Sequence, residues 1–357
     1  MSVKSSAAVF VHTGDPQQVI QVESATLPAP AADEILLKNL AATLNPSDVG
    51  TVWGTYATIP PRSTLYTSEP SAIIGNEAIF EVVSVGKDVT SFKPGDWAFP
   101  SAKTSGTWCT HIVGKAIHFM PVPKISDPVL TSQAFINPTT AYQLLKTYLD
   151  LEKDDWVVQN GANSAVGRAT IQLAREWGIK TLNIIRERPD VEDLKKELLA
   201  LGATAVVTDK EIADPDFVKT ALPKITGGGN VRLGLECVGG KSAQYVGSAL
   251  SHGGTLVIYG CMSMTSPVLP ASLFIFKDIT TKGYWLATRL TSNPKLKAEA
   301  LSTIFDLIKS GKLELNPVQK HIFKVNGTKE EQLKAVREAF TVQSRGFSNK
   351  KQVIVFE

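Results

Sequence analysis

The first 120 or so residues carry short apolar runs separated by turn clusters. Three such runs cover residues 8–11, 34–40 and 79–85, and turn residues such as Lys93-Pro-Gly95 lie between them. Runs of this length that are rich in Val and Ile are typical of strands. No stretch of any length repeats with the period of a helix. The pattern predicts a β-rich, barrel-like or sandwich domain in which we expect no substantial helix.

Beyond Pro121, predicted strands alternate with predicted helices. An apolar run at 156–159 ends at Asn160-Gly161, and the helix that follows repeats its apolar positions on one face until Gly178. Further strands are predicted at 181–185, 205–208, 232–237 and 255–259. Strands separated by helices of about 10–15 residues indicate βαβ units and a doubly wound parallel sheet.

The end of the chain combines a helix with a strand. Residues 293–311 have helical periodicity, with Asn293 as the N-cap and Pro294 in the first turn. Residues 351–356 predict a strand, for which the β-rich domain offers the better sheet edge. We therefore expect residues 1–124 and 316–357 to form one domain, interrupted by a dinucleotide-type domain at 125–315.

Composition and charge restrict the possible functions. The 357 residues are 43% hydrophobic, and 37 Lys and Arg against 34 Asp and Glu leave a net charge of +3. So small a cationic excess argues against a nucleic-acid partner, and no apolar run approaches the roughly 20 residues of a membrane span. Three cysteines favour a reducing compartment. The N-terminal residues show neither a signal peptide nor a presequence pattern.

The turn after the strand at 156–159 is a candidate dinucleotide loop. Gly161 and Gly167 flank Ser164 between a strand and a helix, where small residues let a pyrophosphate approach the helix N-terminus. The match to G-x-G-x-x-G is imperfect, and the alternative is a tight turn that binds no ligand.

The end of the next strand bears on the choice between NAD and NADP. It continues into Arg186-Glu187-Arg188, where two guanidinium groups bracket one carboxylate. Guanidinium groups suit a ribose 2′-phosphate, whereas an acidic residue alone would suit the 2′-hydroxyl of NAD. The pattern favours NADPH, and the alternative is a solvated cluster of surface ion pairs.

This domain arrangement resembles the medium-chain dehydrogenase/reductase superfamily, which implies an α/β fold: a Rossmann-type doubly wound parallel sheet domain plus a β-rich GroES-like catalytic domain. The zinc-dependent alcohol dehydrogenases of that superfamily hold the metal with Cys, His and Cys or Glu. At the corresponding places this chain has Asn45-Pro-Ser-Asp48 and Gly75-Asn-Glu77. Thiolate and imidazole ligands are missing there, so we expect no metal. Reduction of a double bond next to a carbonyl is the chemistry that we then favour.

Motifs spread over nearly the whole chain resemble those of the mitochondrial trans-2-enoyl thioester (enoyl-[acyl-carrier-protein]) reductases. They are Leu44-Asn-Pro-Ser-Asp48, Gly54-Thr-Tyr56, Gly75-Asn-Glu77, Gly106-Thr-Trp108, Asn137-Pro-x-Thr-Ala-Tyr142, Gln159-Asn-Gly161, Arg186-x-Arg-Pro189, Cys237-Val-Gly-Gly-Lys-Ser242, Tyr259-Gly-x-Met262 and Leu273-Phe-Ile-Phe-Lys277.

The resemblance implies that Tyr56 is the catalytic tyrosine. A phenol can hydrogen-bond the thioester oxygen on which charge builds, or supply the proton to the α-carbon. From the residues alone, Tyr56 could equally be a surface aromatic in a loop.

The resemblance also implies a set of cofactor contacts. They are Asn137, Asn163, Ser164, Ala165, Val166, Arg186, Glu187, Arg188, Tyr259, Gly260, Cys261, Met262, Tyr284, Trp285, Leu286 and Lys351. Alternatively, Asn137 caps a helix beginning at Pro138, and Trp285 belongs to the core. Lys350 leaves the register of Lys351 open.

Three positions depart from the pattern of that family. Ala78 and Cys261 stand where glycine is common, and Glu236 stands where Asn is common. A lost glycine matters where the backbone needs a positive φ. We expect Cys261 to be buried and inert rather than a reactive thiol.

These expectations converge on NADPH-dependent reduction of trans-2-enoyl thioesters, carried by acyl carrier protein or CoA, in fatty acid synthesis. Trp53, Ile59, Phe274 and Phe276 are candidates to line an acyl cleft. The family implies a homodimer in the mitochondrial matrix, and a cytosolic location is the alternative. A zinc-independent quinone or alkenal reductase is the second enzyme hypothesis, and a binding module that retains the fold is the third.

Overall fold

The computed structural model describes residues 2–58, 60–101, 106–125, 127–344, 346 and 349–357. The chain forms two compact units. Unit 1 combines Met1–Phe135 with Leu315–Glu357, and unit 2 is Ile136–Glu314. Within the described ranges, none of the helices has the length and hydrophobicity that a membrane crossing demands.

The first segment of unit 1 consists mainly of strands. Its strands are β1 (Val3–Phe10), β2 (Gln21–Leu27), β3 (Glu34–Thr43), β4 (Arg62–Ser63), β5 (Ser71–Ile73), β6 (Ala78–Val85), β7 (Trp97–Pro100), β8 (His111–Lys115) and β9 (Phe119–Val122). Its helices are α1 (Pro16–Val19), α2 (Pro46–Trp53) and α3 (Pro128–Thr131), with a 3-10 turn at Ala116–His118.

Unit 2 alternates strands with helices. Its strands are β10 (Trp156–Gln159), β11 (Lys180–Ile185), β12 (Ala205–Thr208), β13 (Val231–Glu236), β14 (Thr255–Ile258) and β15 (Thr280–Gly283). Its helices are α4 (Ile136–Thr147), α5 (Ala165–Glu176), α6 (Val191–Ala200), α7 (Asp209–Ile212), α8 (Phe217–Thr226), α9 (Gly240–Ala249), α10 (Ala271–Lys277), α11 (Leu286–Ser292) and α12 (Pro294–Lys309).

The chain then returns to unit 1 through β16 (Val318–Phe323), α13 (Lys329–Ser344) and β17 (Lys351–Phe356). β17 runs parallel to β16 and antiparallel to β3, with Ile354 opposite Ala42. The prediction that the terminal strand joins the β-rich domain is thus confirmed. The sheet order in unit 1 is β16-β17-β3-β6-β7-β9, and a second sheet has the order β2-β1-β5-β4.

The core of unit 1 is built from aromatic side chains of both segments. Phe10, Phe80 and Trp108 of the first segment are buried together with Phe340 of α13. The rings of Trp108 and Phe340 lie edge to face with centroids 5.6 Å apart. Because both segments supply this core, the first segment depends on the last for much of its apolar burial.

The expectation that the first 120 or so residues hold no substantial helix is wrong at α2. Gly50 and the β-branched Val49, Thr51 and Val52 give α2 a weak intrinsic helix propensity, which hides it from periodicity. Asn45 followed by Pro46 is the local signal of a helix start that was available.

The sheet of unit 2 has the order β12-β11-β10-β13-β14-β15, and all of its neighbouring strands are parallel. This is the strand order of a dinucleotide-binding fold. The order in which successive strands are added to the sheet reverses between β10 and β13, which are themselves parallel. The predicted doubly wound sheet is therefore confirmed. Asn293 Oδ1 accepts the N–H of Leu296 at 3.0 Å, which also confirms the predicted N-cap of α12.

Two glycines of unit 1 test how tightly its interior is packed. Gly75 has φ +97°, and a Cβ there would lie 2.1 Å from Cδ1 of the buried Trp108. Gly95 has φ +88°, and a Cβ there would meet nothing within 4 Å.

Gly95→Ala should therefore lower the free energy of unfolding only by the ~1–3 kcal/mol that backbone strain costs at such a position. Gly75→Ala should lower the free energy of unfolding by at least a further ~1–3 kcal/mol, because the buried indole of Trp108 must move. Equal losses of stability for the two variants in thermal unfolding would contradict this prediction, because they would show that Trp108 can move without cost.

Candidate active site

The loop between β10 and α5 in unit 2 has the geometry of an anion-binding turn. Gly161 adopts φ +57°, and Ser164 caps α5 by accepting the N–H of Gly167 at 3.1 Å. A Cβ on Gly167 would lie 2.5 Å from the carbonyl oxygen of Ala162, so only glycine allows this close approach. Ser164 is exposed, and Ala165 and Val166 are half-buried in the first turn of the helix, where N–H groups are available to a pyrophosphate.

A buried carboxylate joins this loop to the loop after β13. Glu236 Oε1 accepts Nδ2 of Asn160 at 2.8 Å and the N–H of Gly239 at 2.7 Å. Asn160 Oδ1 in turn accepts the N–H of Cys237 at 2.9 Å. The two loops on either side of the strand-order reversal are therefore held together by side chains.

The loop after β14 packs on the same place. The N–H groups of Met262 and Ser263 donate to the carbonyl groups of Cys237 and Val238, each at 2.8 Å. This fixes the segment of Tyr259, Gly260, Cys261 and Met262 at the carboxyl end of the sheet, where ligands bind in such folds.

Two polar atoms lie buried here without a hydrogen-bond partner in the described structure, Glu236 Oε2 and the Tyr259 hydroxyl. Burial, together with Cys237 and Glu236 nearby, holds the pKa of Tyr259 well above its usual value. Burial also raises the pKa of the Cys237 thiol to about 12. Both groups are therefore neutral at physiological pH. Unsatisfied polar atoms beside a helix N-terminus fit a dinucleotide site.

The two candidate arginines follow β11. Arg186 is exposed, and Arg188 donates Nε and Nη2 to the Asp190 carboxylate at 2.5 and 3.0 Å. That ion pair holds the pKa of Asp190 below its usual value. The backbone N–H of Glu187 donates to Asp209 at 2.9 Å. The guanidinium of Arg188 is thus oriented by a carboxylate, so a phosphate would share it with Asp190.

The segment after β15 borders an open cavity of about 410 Å³, lined by Ile258, Gly283, Tyr284, Trp285, Thr288 and Arg289. Tyr284 is buried and donates its hydroxyl to Gln143 Oε1 at 2.8 Å, and burial raises the pKa of Tyr284. The alternative that Trp285 belongs to the core is wrong, since its side chain is 39% exposed. Leu286 begins α11 and is half-buried.

Asn137 lies inside the first turn of α4, which begins at Ile136. The alternative that Asn137 caps a helix beginning at Pro138 is therefore wrong. The residue is buried at 7% exposure.

Of the acyl-cleft candidates, Ile59 lies outside the described residues, whereas Trp53, Phe274 and Phe276 are 48%, 40% and 76% exposed.

Unit 1 carries Tyr56 in the turn that ends α2. Gly54 closes the helix in the left-handed conformation with φ +79°. The N–H groups of Thr55 and Tyr56 both donate to the carbonyl of Gly50, at 2.8 and 3.1 Å. The Tyr56 side chain is half-buried. The catalytic candidate is thus tied to the last turn of a helix.

The opposite end of α2 meets a cluster of buried polar side chains. Asp48 accepts the N–H of Asn45 and Nδ2 of Asn76, each at 2.7 Å. Asn45 donates Nδ2 to Glu77 at 2.7 Å and accepts Nζ of Lys351 at 2.6 Å. Lys351, a cofactor candidate, therefore also belongs to this cluster.

The two carboxylates of the cluster are fully buried. Burial raises the pKa of Asp48 to about 7, against the effect of its hydrogen bonds and of Lys351. Burial lowers the pKa of Lys351, against the attraction of Glu77 and Asp48. Among the described residues, no three His, Cys, Asp or Glu side chains converge as a group that could hold a metal ion.

The sequence aligns over most of its length with proteins named as reductases. The mitochondrial enoyl-[acyl-carrier-protein] reductase of Yarrowia lipolytica is 42% identical over 316 residues, 87% of this chain and 82% of that protein. The chain belongs to the enoyl-[acyl-carrier-protein] reductase family. Two family models match parts of this chain: an alcohol dehydrogenase GroES-like domain at residues 31–124 and a zinc-binding dehydrogenase at residues 165–304. They confirm the predicted fold class.

Solved structures of enoyl thioester reductases share the fold over the full length. The Etr1p complex with NADP and crotonyl-CoA matches with a TM-score of 0.92 and 32% identity, covering 99% of this chain and 100% of that one. The Etr1p/Etr2p heterodimer from Candida tropicalis, a mitochondrial 2-enoyl thioester reductase, matches with a TM-score of 0.91 and 31% identity over the same shares.

The departures of this reductase from the family pattern are structurally mild. Neither Ala78 nor Cys261 has a positive φ, so the β-carbon adds no backbone strain at either position. The expectation that Cys261 is buried is wrong: it is exposed, because it lies in the loop after β14, and its thiol donates to the carbonyl of Thr265. Glu236 uses its carboxylate to join two loops.

Sequence reasoning assigned no role to three polar side chains that organise these sites. Asn160 joins two loops, and Asn45 bridges the buried cluster of unit 1. Arg168 is buried in α5 and donates to Asn163 at 3.3 Å and to Glu197 at 2.8 Å. Asn160 follows a buried strand directly, which was a usable signal. Arg168 gives no such signal, because its ion-pair partner Glu197 lies 29 positions further along the chain.

Proposed function

We propose that this chain uses NADPH to reduce trans-2-enoyl thioesters to saturated acyl thioesters, the last reductive step of a cycle of fatty acid elongation. The observation that carries this proposal is the full-length structural match to a reductase solved with NADP and crotonyl-CoA. The anion-binding turn, the paired arginines and Tyr56 are the residues of this chain that suit the reaction.

When bound, NADPH supplies the hydride that adds to the β-carbon of the enoyl thioester. Negative charge then develops on the thioester oxygen, and the α-carbon needs a proton. The phenol of Tyr56 donates a hydrogen bond to that oxygen or the proton to that carbon. Its attachment to the end of α2 limits where the phenol can move, so that little reorganisation is needed during the reaction.

Replacement of Tyr56 by Phe tests this role. We expect Tyr56→Phe to lower kcat by ~10²–10³, the usual effect of removing one such donor. The Kd for NADPH should stay within about twofold of the wild-type value, since the proposed cofactor contacts lie mostly in unit 2. Tyr66→Phe is the matched control, because the Tyr66 hydroxyl is buried on Ser5 elsewhere in unit 1. Wild-type turnover of Tyr56→Phe with crotonyl-CoA would remove the assignment.

The arginines after β11 provide the preference for NADPH. A guanidinium matches the geometry of a phosphate and binds it through charge-assisted hydrogen bonds. Arg188 is already oriented by Asp190, and Arg186 is exposed beside it.

Dinucleotide titration measures this contribution. Arg186→Ala and Arg188→Ala should each raise the Kd for NADPH by ~10–100-fold, because one charge-assisted hydrogen bond contributes about 1.5–3 kcal/mol. The Kd for NADH should change by less than about threefold, which makes NADH the internal control. Equal loss of affinity for both dinucleotides would mean that the arginines act on the fold and not on the 2′-phosphate.

The substrate class follows from a direct comparison of acceptors. With NADPH, crotonyl-CoA should be reduced and a simple quinone should not. The reverse result would favour the quinone or alkenal reductase hypothesis. The same assay with an enoyl-acyl carrier protein distinguishes the carrier protein from CoA, both of which we propose as substrate carriers. We further propose that the protein acts in the mitochondrial matrix, since its relatives are named as mitochondrial enzymes; fractionation of the source cells would test this.

The quaternary state that we propose is a homodimer, formed along the β15 edge of unit 2. Within the described residues, β15 pairs only with β14, so its outer edge is open to another strand. Next to it, α10 exposes Ile275 at 70%, and the preceding loop exposes Met264 at 70%. An open strand edge beside exposed apolar side chains suits a second copy of the same surface.

Sedimentation velocity tests this dimer. The wild-type protein should sediment as a dimer at micromolar concentration, and Ile275→Asp should sediment as a monomer, because a charge would be buried in the interface. Leu199→Asp is the control, since Leu199 is 48% exposed on α6 of the same unit. A monomeric wild-type protein would refute the proposal.

A further inference from the structure

Helix α2 connects the buried polar cluster of unit 1 to the Tyr56 turn. At its first residues, Asp48 accepts the N–H of Asn45 at 2.7 Å. At its last turn, the carbonyl of Gly50 accepts the N–H of Tyr56 at 3.1 Å. The helix has only eight residues, so its two ends are about 12 Å apart and a displacement of one end reaches the other.

The cluster fixes the first turn of α2 from several directions. Glu77 Oε2 accepts from Asn45 and its Oε1 accepts the N–H of Phe135 at 3.2 Å. Lys351 donates to Asn45 from β17, and Asn76 donates to Asp48 from the loop before β6. These partners come from three segments of unit 1: the loop before β6, the segment after α3, and β17. A buried charge with such partners has one low-energy arrangement, because each lost hydrogen bond leaves a desolvated polar group.

The last turn of α2 leaves Tyr56 little freedom. An added Cβ on Gly50 would lie 3.3 Å from Thr55 Oγ1 and 3.4 Å from the Cβ of Tyr56, so the turn packs directly on the helix. Val52 is fully buried on the opposite side, and its carbonyl accepts the N–H of Gly14 at 2.9 Å. The helix is therefore held near its end as well as at its start.

We propose that Asp48 and Glu77 are positioning residues for the Tyr56 phenol and act through Asn45 and helix α2. The proposal rests on the proposed function, in which Tyr56 assists the reaction. Neither carboxylate is assigned contact with substrate or cofactor. Their role is to hold the first turn of α2 in the one orientation that places the phenol correctly.

The charge state of the cluster supports this role. The charged groups that face Asp48 are Glu77 from the segment before β6 and Lys351 from β17. Burial raises the pKa of Asp48 to about 7, so the carboxylate gains a proton as the pH falls through that value. A protonated oxygen no longer accepts an N–H donor well, which loosens the start of α2. The phenol should therefore be best positioned above pH 7.

A double-mutant cycle tests the coupling. Asp48→Asn and Glu77→Gln should each lower kcat by ~10–100-fold, the typical effect of losing an outer hydrogen-bond partner, while the Kd for NADPH stays within about threefold. In the Tyr56→Phe background the same changes should have little further effect, because they act through the phenol. Asp127→Asn is the control, since Asp127 lies in the same unit and caps α3 by accepting the N–H groups of Val129 and Leu130.

Nuclear magnetic resonance of tyrosine labelled with ¹³C at the ring ε positions follows the phenol without an activity assay. The Tyr56 resonance, identified by its absence in Tyr56→Phe, should shift with pH around a midpoint near 7 in the wild-type protein. It should not show this transition in Asp48→Asn. Apart from Tyr56→Phe for the assignment, the wild-type titration needs no variant, so it remains decisive if Asp48→Asn or Glu77→Gln prevents folding.

The outcomes separate the two levels of the proposal. Wild-type turnover in Tyr56→Phe would overturn the catalytic assignment, and with it the need for positioning. A slow Tyr56→Phe with additive effects of Asp48→Asn and Glu77→Gln would overturn the positioning role alone. A Tyr56 resonance that does not respond to pH between 5.5 and 8 would do the same.

Discussion

Taking a carboxylate or an ammonium out of water costs several kcal/mol unless partners in the interior compensate, and unit 1 buries two carboxylates that a lysine reaches through Asn45. Asn45 meets this constraint by donating to Glu77 and accepting from Lys351. The arrangement requires β17 to lie beside β3, because only that register brings Lys351 to the start of α2. The position of the terminal strand, the start of α2 and the Tyr56 turn therefore depend on one another.

In unit 2 the corresponding constraint is that several loops must keep fixed positions relative to one another at the carboxyl end of a parallel sheet. Backbone bonds from Met262 and Ser263 tie the loop after β14 to the loop after β13. Glu236 and Asn160 tie the latter to the anion-binding turn. Loops that carry unsatisfied polar atoms would otherwise be the least stable part of the unit. These hydrogen bonds explain how loops of small residues can border the candidate ligand site and still keep an open conformation.

Periodicity predicted the elements in which the pattern is strong. The strand at Trp156–Gln159 and the strand at Ala205–Thr208 have the predicted bounds, since buried parallel strands form continuous apolar runs. Helix α2 escaped prediction because tertiary contacts, not propensity, stabilise it. The family motifs named Tyr56 and the anion-binding turn, whereas the exposure of Cys261 and Trp285 depends on loop packing that no local pattern records.

The charge at the start of α2 is neutralised by a cation from a distant part of the chain. Here the cation is an ammonium that arrives from the last strand, and Lys351 and Asn45 are 306 positions apart in the sequence. A contact of such long range forms late, because its loop-closure entropy is offset only after other contacts exist. The first segment alone therefore leaves the two carboxylates without their cation. Because the start of α2 and the Tyr56 turn belong to one short helix, the position of the candidate catalytic tyrosine depends on the docking of β17.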